Sequence, residues 1–281
     1  MKTSTQRKII HCDCDCFFAA VEMRDDPSLM NIPLAIGGAS DRRGVISTCN
    51  YPARTYGIHS AMATAQALKL CPDLKVIPGN MAKYREASEK IMAIYRDYSD
   101  CIEPLSLDEA YLDVTGVTHK GGSATLIAEE IRERVRTTVG ITISAGIAPN
   151  KFLAKIASDW NKPDGIWVIT PDQIDSFVLQ LPVKKIFGVG KVTAAKLQQM
   201  DIETCGDLRQ LSLAQLINRF GRFGKRLYEL SRGEDDRPVR QNRERKSISV
   251  EHTFSSDLPD LSSCLDKLPG MLAELEQRYA K

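Results

Sequence analysis

Three carboxylates raise the question of chemistry: Asp13, which closes a short apolar run, and the adjacent pair Asp108 and Glu109 much further along. Carboxylate oxygens suit a hard divalent cation such as Mg²⁺, which keeps waters and substrate phosphates as its other ligands. Two such ions about 3.5–4 Å apart can clamp an in-line phosphoryl displacement. Each acid taken alone reads as a solvated turn residue, so the case rests on the elements that bring the three together. Asp15 shares the strand face of Asp13, either as a fourth ligand or as the N-cap of a following helix; the cap is the better reading. Cys12, Cys14 and Cys16 alternate with the aspartates. Residues two apart on an extended strand diverge from a tetrahedral soft-metal site, so the thiols read as small apolar packing groups. The backbone carbonyl of Cys14 remains a candidate cation contact.

The positioning elements follow from apolar periodicity. Residues 7–12 read as a strand that runs into a helix from Phe17 to Arg24. Short strands are expected at 34–36 and 45–47, and a helix at 64–70. Tyr84, Ala87, Ile91, Ile94 and Tyr98 fall at helical spacing over 81–98. Two strand-like runs, 101–105 and 110–114, are joined by the turn Ser106-Leu107-Asp108-Glu109. A helix from Ala124 to about Val135 and a strand over 141–147 follow. With 16–79 set aside, the order is βαββαβ, the ferredoxin-like split βαβ arrangement. In that arrangement the first and third strands are neighbours, which draws Asp13 towards Asp108 and Glu109. After Pro171 the pattern turns to short helices, including 191–200 and 213–218. The stretch 232–246 is a basic linker, and 247–254 and 261–279 read as a strand and a helix.

The chain has 281 residues, long enough for two or more domains, with 43% hydrophobic and 26% charged residues, which excludes disorder and coiled coil as whole-chain readings. The net charge is only +2, but residues 1–180 lean acidic and 181–281 basic. That split suits metal chemistry followed by a polyanion partner. Asp13 and Asp15 interrupt any signal-peptide core, and the charge-free stretch 137–150 is too short to span a bilayer. The expectation is a soluble cytoplasmic protein without membrane contact, its eight cysteines reduced.

Four segments carry a resemblance: Cys12-Asp13-Cys14-Asp15-Cys16-Phe17-Phe18-Ala19-Ala20-Val21-Glu22, Tyr51-Pro52-Ala53-Arg54, Ser106 to Asp113, and Lys155 to Asp159 with Asn161-Lys162-Pro163-Asp164-Gly165. In this order the chain resembles the Y-family translesion DNA polymerases, and within them the bacterial DNA polymerase IV (DinB) group. The resemblance implies an α+β fold: a ferredoxin-like palm (1–15 and 80–170), small α/β fingers (16–79), a helix-hairpin-helix thumb (171–236), a basic linker (237–246) and an incomplete little finger (247–281). Of a complete little finger only the first strand and helix fit before Lys281, and the family's C-terminal sliding-clamp peptide is absent. Cys12 and Cys14 stand where Val and Met are common.

The implied activity is error-prone, template-directed addition of deoxynucleotides to a primer 3′-hydroxyl without proofreading, with primer-template DNA and dNTPs as partners of a monomer. Asp13, Asp108 and Glu109 match the family's catalytic carboxylates for two Mg²⁺ ions. Phe17, Phe18, Thr48, Tyr51, Arg54 and Lys162 fall at its nucleotide-binding positions, Phe18 as the steric gate against a 2′-hydroxyl; Phe17 also reads as a core residue. Independently, Ile186 to Lys191 reads as a hairpin in which Gly188 and Gly190 let backbone N–H groups, with Lys191, approach a DNA phosphate. Arg240 and Arg243 in the basic stretch are further DNA candidates, although a solvated tether accounts equally well for their charge. A nucleotidyl cyclase, an idle DNA-binding protein and a catalytically weak DNA-binding fragment are the competing readings.

Overall fold

A computed structural model describes residues 6–241 and 245–280, which gather into two compact units, 6–15 with 85–241 and 16–84 with 245–280. Along the chain come β1 (Ile9–Cys14), α1 (Phe17–Asp25), β2 (Leu34–Gly37), β3 (Ile46–Cys49), α2 (Tyr51–Arg54), α3 (Thr64–Leu70), β4 (Lys75–Ile77) and α4 (Met81–Arg96). Next are β5 (Ile102–Pro104), β6 (Glu109–Asp113), α5 (Ala124–Val139), β7 (Ile143–Ala148), α6 (Lys151–Ser158) and β8 (Ile166–Val168). The remainder is helical: α7 (Ile174–Leu179), α8 (Lys191–Gln198), α9 (Cys205–Leu208), α10 (Leu213–Phe220), α11 (Arg222–Leu230), α12 (Leu261–Leu265) and α13 (Leu268–Tyr279).

The first unit is built on a five-stranded sheet of order β5-β6-β1-β7-β8. The expected βαββαβ order is present as β1-α4-β5-β6-α5-β7, and β1 lies between β6 and β7, antiparallel to both. A fifth strand, β8, adds parallel to β7. Strand alternation puts Ile9, His11 and Asp13 on one face with Glu109, Tyr111, Ser144 and Gly146. Helix α6 packs on this face, and it comes so close that a Cβ on Gly146 would lie 2.1 Å from the Ala154 carbonyl oxygen. The other face carries Ile10, Cys12 and Cys14. Helix α5 buries Ile127, Ile131 and Val135; Ser123 caps its start and Gly140, at φ 78°, closes its end.

Helices α7 to α11 share one core with the α6 side of the sheet, in which Val178, Leu197, Leu208, Leu216 and Leu227 join Ile9, Phe152 and Ala157. The stretch read as a basic linker begins as a packed return. Asp235, with a fully buried side chain, accepts from Phe152 N (3.1 Å) and from Arg237 Nε and Nη2 (2.8 Å each), with Arg226 Nη2 at 3.0 Å. Asn150 Nδ2 donates to Gly233 O at 2.7 Å.

The second unit holds a three-stranded sheet, β3-β2-β4, over a small core that includes Ala35, Ile46, Ala53, Ile58 and Ala67. Two expectations fail here. Residues 247–254 form no strand, because among the described residues no segment pairs with them and alternation alone supplies no ladder partner. The helix expected over 261–279 is split at Asp266–Lys267, where Pro269 in the first turn of α13 has no N–H to continue the preceding helix.

Candidate active site

Register places Asp13 of β1 opposite Glu109 of β6. Opposed residues on an antiparallel pair project to the same side, so two acids far apart in the chain become neighbours. One ligand atom each from His11, Asp13 and Glu109 lies within 4.8 Å of the others. Glu109 Oε2 meets two donors: His11 Nε2 at 3.1 Å, and Lys155 Nζ from α6. Burial alone would raise the Glu109 carboxyl, but the His11 and Lys155 hydrogen bonds outweigh it and hold the group down at about 2. Asp13 Oδ1 accepts from Lys162 Nζ at 2.5 Å. Burial pushes the Asp13 carboxyl up, with Lys162 pulling back. Burial would lower Lys162, but the Asp13 charge keeps its ammonium above its usual range. His11 is fully buried, and that burial lowers its pKa.

Of the three expected carboxylates, two therefore converge. Asp108 lies beside them in the turn, where its carboxylate accepts from Ser106 Oγ (2.5 Å) and its carbonyl from Cys14 N (2.9 Å). Asp15 does not cap α1. Its carboxylate accepts from Thr142 Oγ1, Ser144 Oγ and Asp164 N, each at 2.8 Å, and so fastens β1 to β7 and to the loop before β8. The N-cap of α1 is Cys16, in the left-handed region at φ 43°, with no side-chain cap. The Cys12 and Cys14 thiols are buried and raised by desolvation, Cys12 to about 12, so they pack as protonated groups.

In the second unit Phe18 is half-buried and stacks on Tyr84, with centroids 4.1 Å apart and planes at 11°. Tyr84 is fully buried and donates its hydroxyl to Glu22 Oε1 at 2.7 Å; Lys83 binds the other oxygen at 2.7 Å. Phe17 is 3% exposed, a core ring. Tyr51 and Arg54 lie on one turn, α2, started by Asn50, whose Oδ1 accepts from Ala53 N at 3.1 Å. Arg54 is exposed, its guanidinium 4.7 Å from the Tyr51 ring centre. Thr48 is half-buried on β3.

The glycine hairpin is present in the first unit. Gly188 takes φ 99°, Gly190 is the N-cap of α8 with open space where a Cβ would stand, and Lys191 is exposed. A 3₁₀ turn, Val183–Lys185, precedes it. Arg240 is exposed, with its backbone N–H on Glu103 Oε2 at 2.9 Å. Arg243 lies outside the described residues.

The donor set fits a hard divalent cation: two converging carboxylates, at least one firmly ionised, with a third acid next in sequence. Four contacts escaped the sequence reading, namely His11, Lys155, Ser158 and Tyr84. His11 stands two residues before Asp13 on the same strand face, a signal that strand alternation carries. Tyr84 read only as a helix-face residue, and Lys155 and Ser158 only as part of a resembling segment; their partners across the fold leave no spacing in the chain. Among the described residues no helix is long and apolar enough to cross a membrane.

Residues 12–159 match the impB/mucB/samB family, and residues 184–235 match the thumb domain of DNA polymerase-iota. DNA polymerase IV of Pseudomonas fluorescens is 61% identical over 277 residues, covering 99% of this chain and 78% of that protein. DNA polymerase IV of Ectopseudomonas mendocina is 61% identical over 276 residues, covering 98% and 78%. Among solved structures, a Y-family DNA polymerase chimera of Dbh and Dpo4 superposes with TM-score 0.87 at 31% identity, over 96% of this chain and 80% of that one. Paired acids on a ferredoxin-like sheet, a glycine hairpin in the helical region and these matches agree: the chain belongs to the impB/mucB/samB family and is a Y-family DNA-directed DNA polymerase of translesion synthesis.

Proposed function

We propose that this polymerase adds deoxynucleotides to a primer 3′-hydroxyl with two Mg²⁺ ions held by Asp13, Asp108, Glu109 and the Cys14 carbonyl, releases pyrophosphate and does not proofread. The observation that carries the reading is the pairing of Asp13 with Glu109 across β1 and β6, each beside a lysine. Bound there, Mg²⁺ supplies Lewis-acid stabilisation of charge developing on phosphate oxygens. Glu109, ionised throughout the physiological range, serves in the catalytic acid pair. Lys162 gives a point charge, and Arg54 with Tyr51 a guanidinium fork, to the triphosphate. Thr48 adds a hydroxyl to that set, and Phe17 its backbone. Phe18, held flat by Tyr84, presents a ring face that excludes a ribose 2′-hydroxyl. The N–H groups at Gly188, Gly190 and Lys191 receive a DNA phosphate, and Arg240 with Arg243 adds charge along the duplex.

In this scheme residues 1–15 and 80–170 act as palm, 16–79 as fingers, 171–236 as thumb, 237–246 as linker and 247–281 as part of a little finger, in a cytoplasmic enzyme. The eight free cysteines support that compartment. The test is primer extension in Mg²⁺ with the parent chain and Asp108→Ala. The parent copies the template, and the variant loses about 1,000-fold or more in rate; comparable extension by both would remove Asp108 from the site.

A further inference from the structure

We propose that His11 is a positioning residue for Glu109: a buried imidazole that, with Lys155, fixes one carboxylate oxygen so that the other faces the reacting groups. This rests on the reading of Glu109 as a catalytic carboxylate.

Both donors meet the same atom. His11 Nε2 lies 3.1 Å from Glu109 Oε2, and Lys155 Nζ binds that oxygen as well. Among the described residues Oε1 has no hydrogen-bond or ion-pair partner. A carboxylate held through a single oxygen by two donors has its last torsion set, and the free oxygen points one way. His11 is itself fixed on its remaining edges. Its Nδ1 is 2.7 Å from Ser158 Oγ, and its ring lies 4.7 Å from that of Tyr111, the β6 neighbour two residues beyond Glu109. With no exposure and a polar contact on each ring nitrogen, the imidazole cannot turn without losing one of them.

Helix α6 delivers the rest. Lys155 and Ser158 are three residues apart and so share a helix face, the one pressed against His11 and Glu109. That approach depends on Gly146, where any side chain would meet the α6 backbone. Lys155 also stands 5.9 Å from the ring centre of Phe187 in the glycine hairpin. Glu109 is thus held from the sheet by His11 and from the helix by Lys155.

The experiment compares His11→Leu, His11→Gln, Ser158→Ala and Glu109→Gln in the full chain, by single-turnover nucleotide incorporation and by the Glu109 side-chain rotamer in a crystal structure of each His11 and Ser158 variant. Glutamine restores a donor near the Nε2 position; leucine does not. His11→Leu is expected to lose about 10- to 100-fold in kcat, as misplacement of a reacting group by about 1 Å does, with KM for nucleotide and thermal midpoint little changed and the carboxylate rotated. His11→Gln recovers most of that loss. Should His11→Leu not fold, Ser158→Ala, which only frees the ring, carries the test with a smaller fall in kcat. Equal losses in the leucine and glutamine variants, an unmoved Glu109, or full kcat in Ser158→Ala and His11→Leu would overturn the proposal. An active Glu109→Gln would instead overturn the role of Glu109 itself.

Discussion

Asp13 and Glu109 stand directly opposite each other on β1 and β6, and each carries its own lysine: Lys162 on Asp13 and Lys155 on Glu109. Two carboxylates at this separation, partly withdrawn from water, repel each other, and the two ammonium groups offset that repulsion. The outcome is asymmetric. Glu109 is driven to a low pKa by its donors, while Asp13, more deeply desolvated, is driven up.

The low Glu109 value predicts a specific acid dependence. The folded carboxyl titrates at about 2 against an ordinary 4.5, so its stabilising contribution is complete above the ordinary value and is lost as pH falls from about 4.5 towards about 2. Urea unfolding followed across that interval should show the parent losing stability faster than Glu109→Gln. Parallel curves would mean that the His11 and Lys155 contacts do not persist in solution.

Lys162 should act on substrate binding. Lys162→Ala removes a charged hydrogen-bond donor, and KM for the incoming nucleotide should rise by about 10-fold or more, in line with 1.5–3 kcal/mol for a charge-assisted bond. Steady-state single-nucleotide insertion measures this. A fall in kcat with unchanged KM would assign Lys162 to Asp13 alone.

Phe18 is held by a parallel stack on a buried tyrosine, so its ring plane is set before any nucleotide arrives. Phe18→Ala should raise ribonucleotide incorporation, relative to deoxynucleotide, by roughly 10- to 100-fold, the range open to shape-based discrimination of a hydroxyl. The comparison is a primer extension with each triphosphate in turn. Unchanged sugar selectivity would remove the gate from Phe18.

Asp235 carries a stability prediction remote from the chemistry. Its buried carboxylate, held below its usual pKa chiefly by Arg237 against the cost of burial, receives Phe152 N and sits between Arg226 and Arg237. Asp235→Ala leaves the buried Phe152 N–H without its acceptor and takes the ion pair from Arg226 and Arg237, and should cost about 2 kcal/mol in chemical denaturation, as loss of a charged partner to a buried donor does. A loss under about 1 kcal/mol, within the range of an exposed pair, would show these contacts to be dispensable.

The chain by itself determined the order of elements and the identity of the paired acids. Helical spacing at Tyr84, Ala87, Ile91 and Ile94, strand alternation around Asp13 and the Ser106–Glu109 turn are local patterns, and local patterns are written in sequence spacing. The same locality explains the errors. Residues 247–254 alternate like a strand, but a strand exists only when another pairs with it, and the spacing of one segment does not say whether one does. Asp15 looked like a helix cap because caps are local; its partners Thr142, Ser144 and Asp164 come from β7 and the loop before β8. Only the tertiary structure put Lys155 and His11 on one oxygen of Glu109 and set Tyr84 beneath Phe18. Those contacts join distant segments through side-chain geometry, and what fixes them is the packing of α6 over Gly146 and the hold of Glu22 on Tyr84 and Lys83, for which the chain carries no repeating signal.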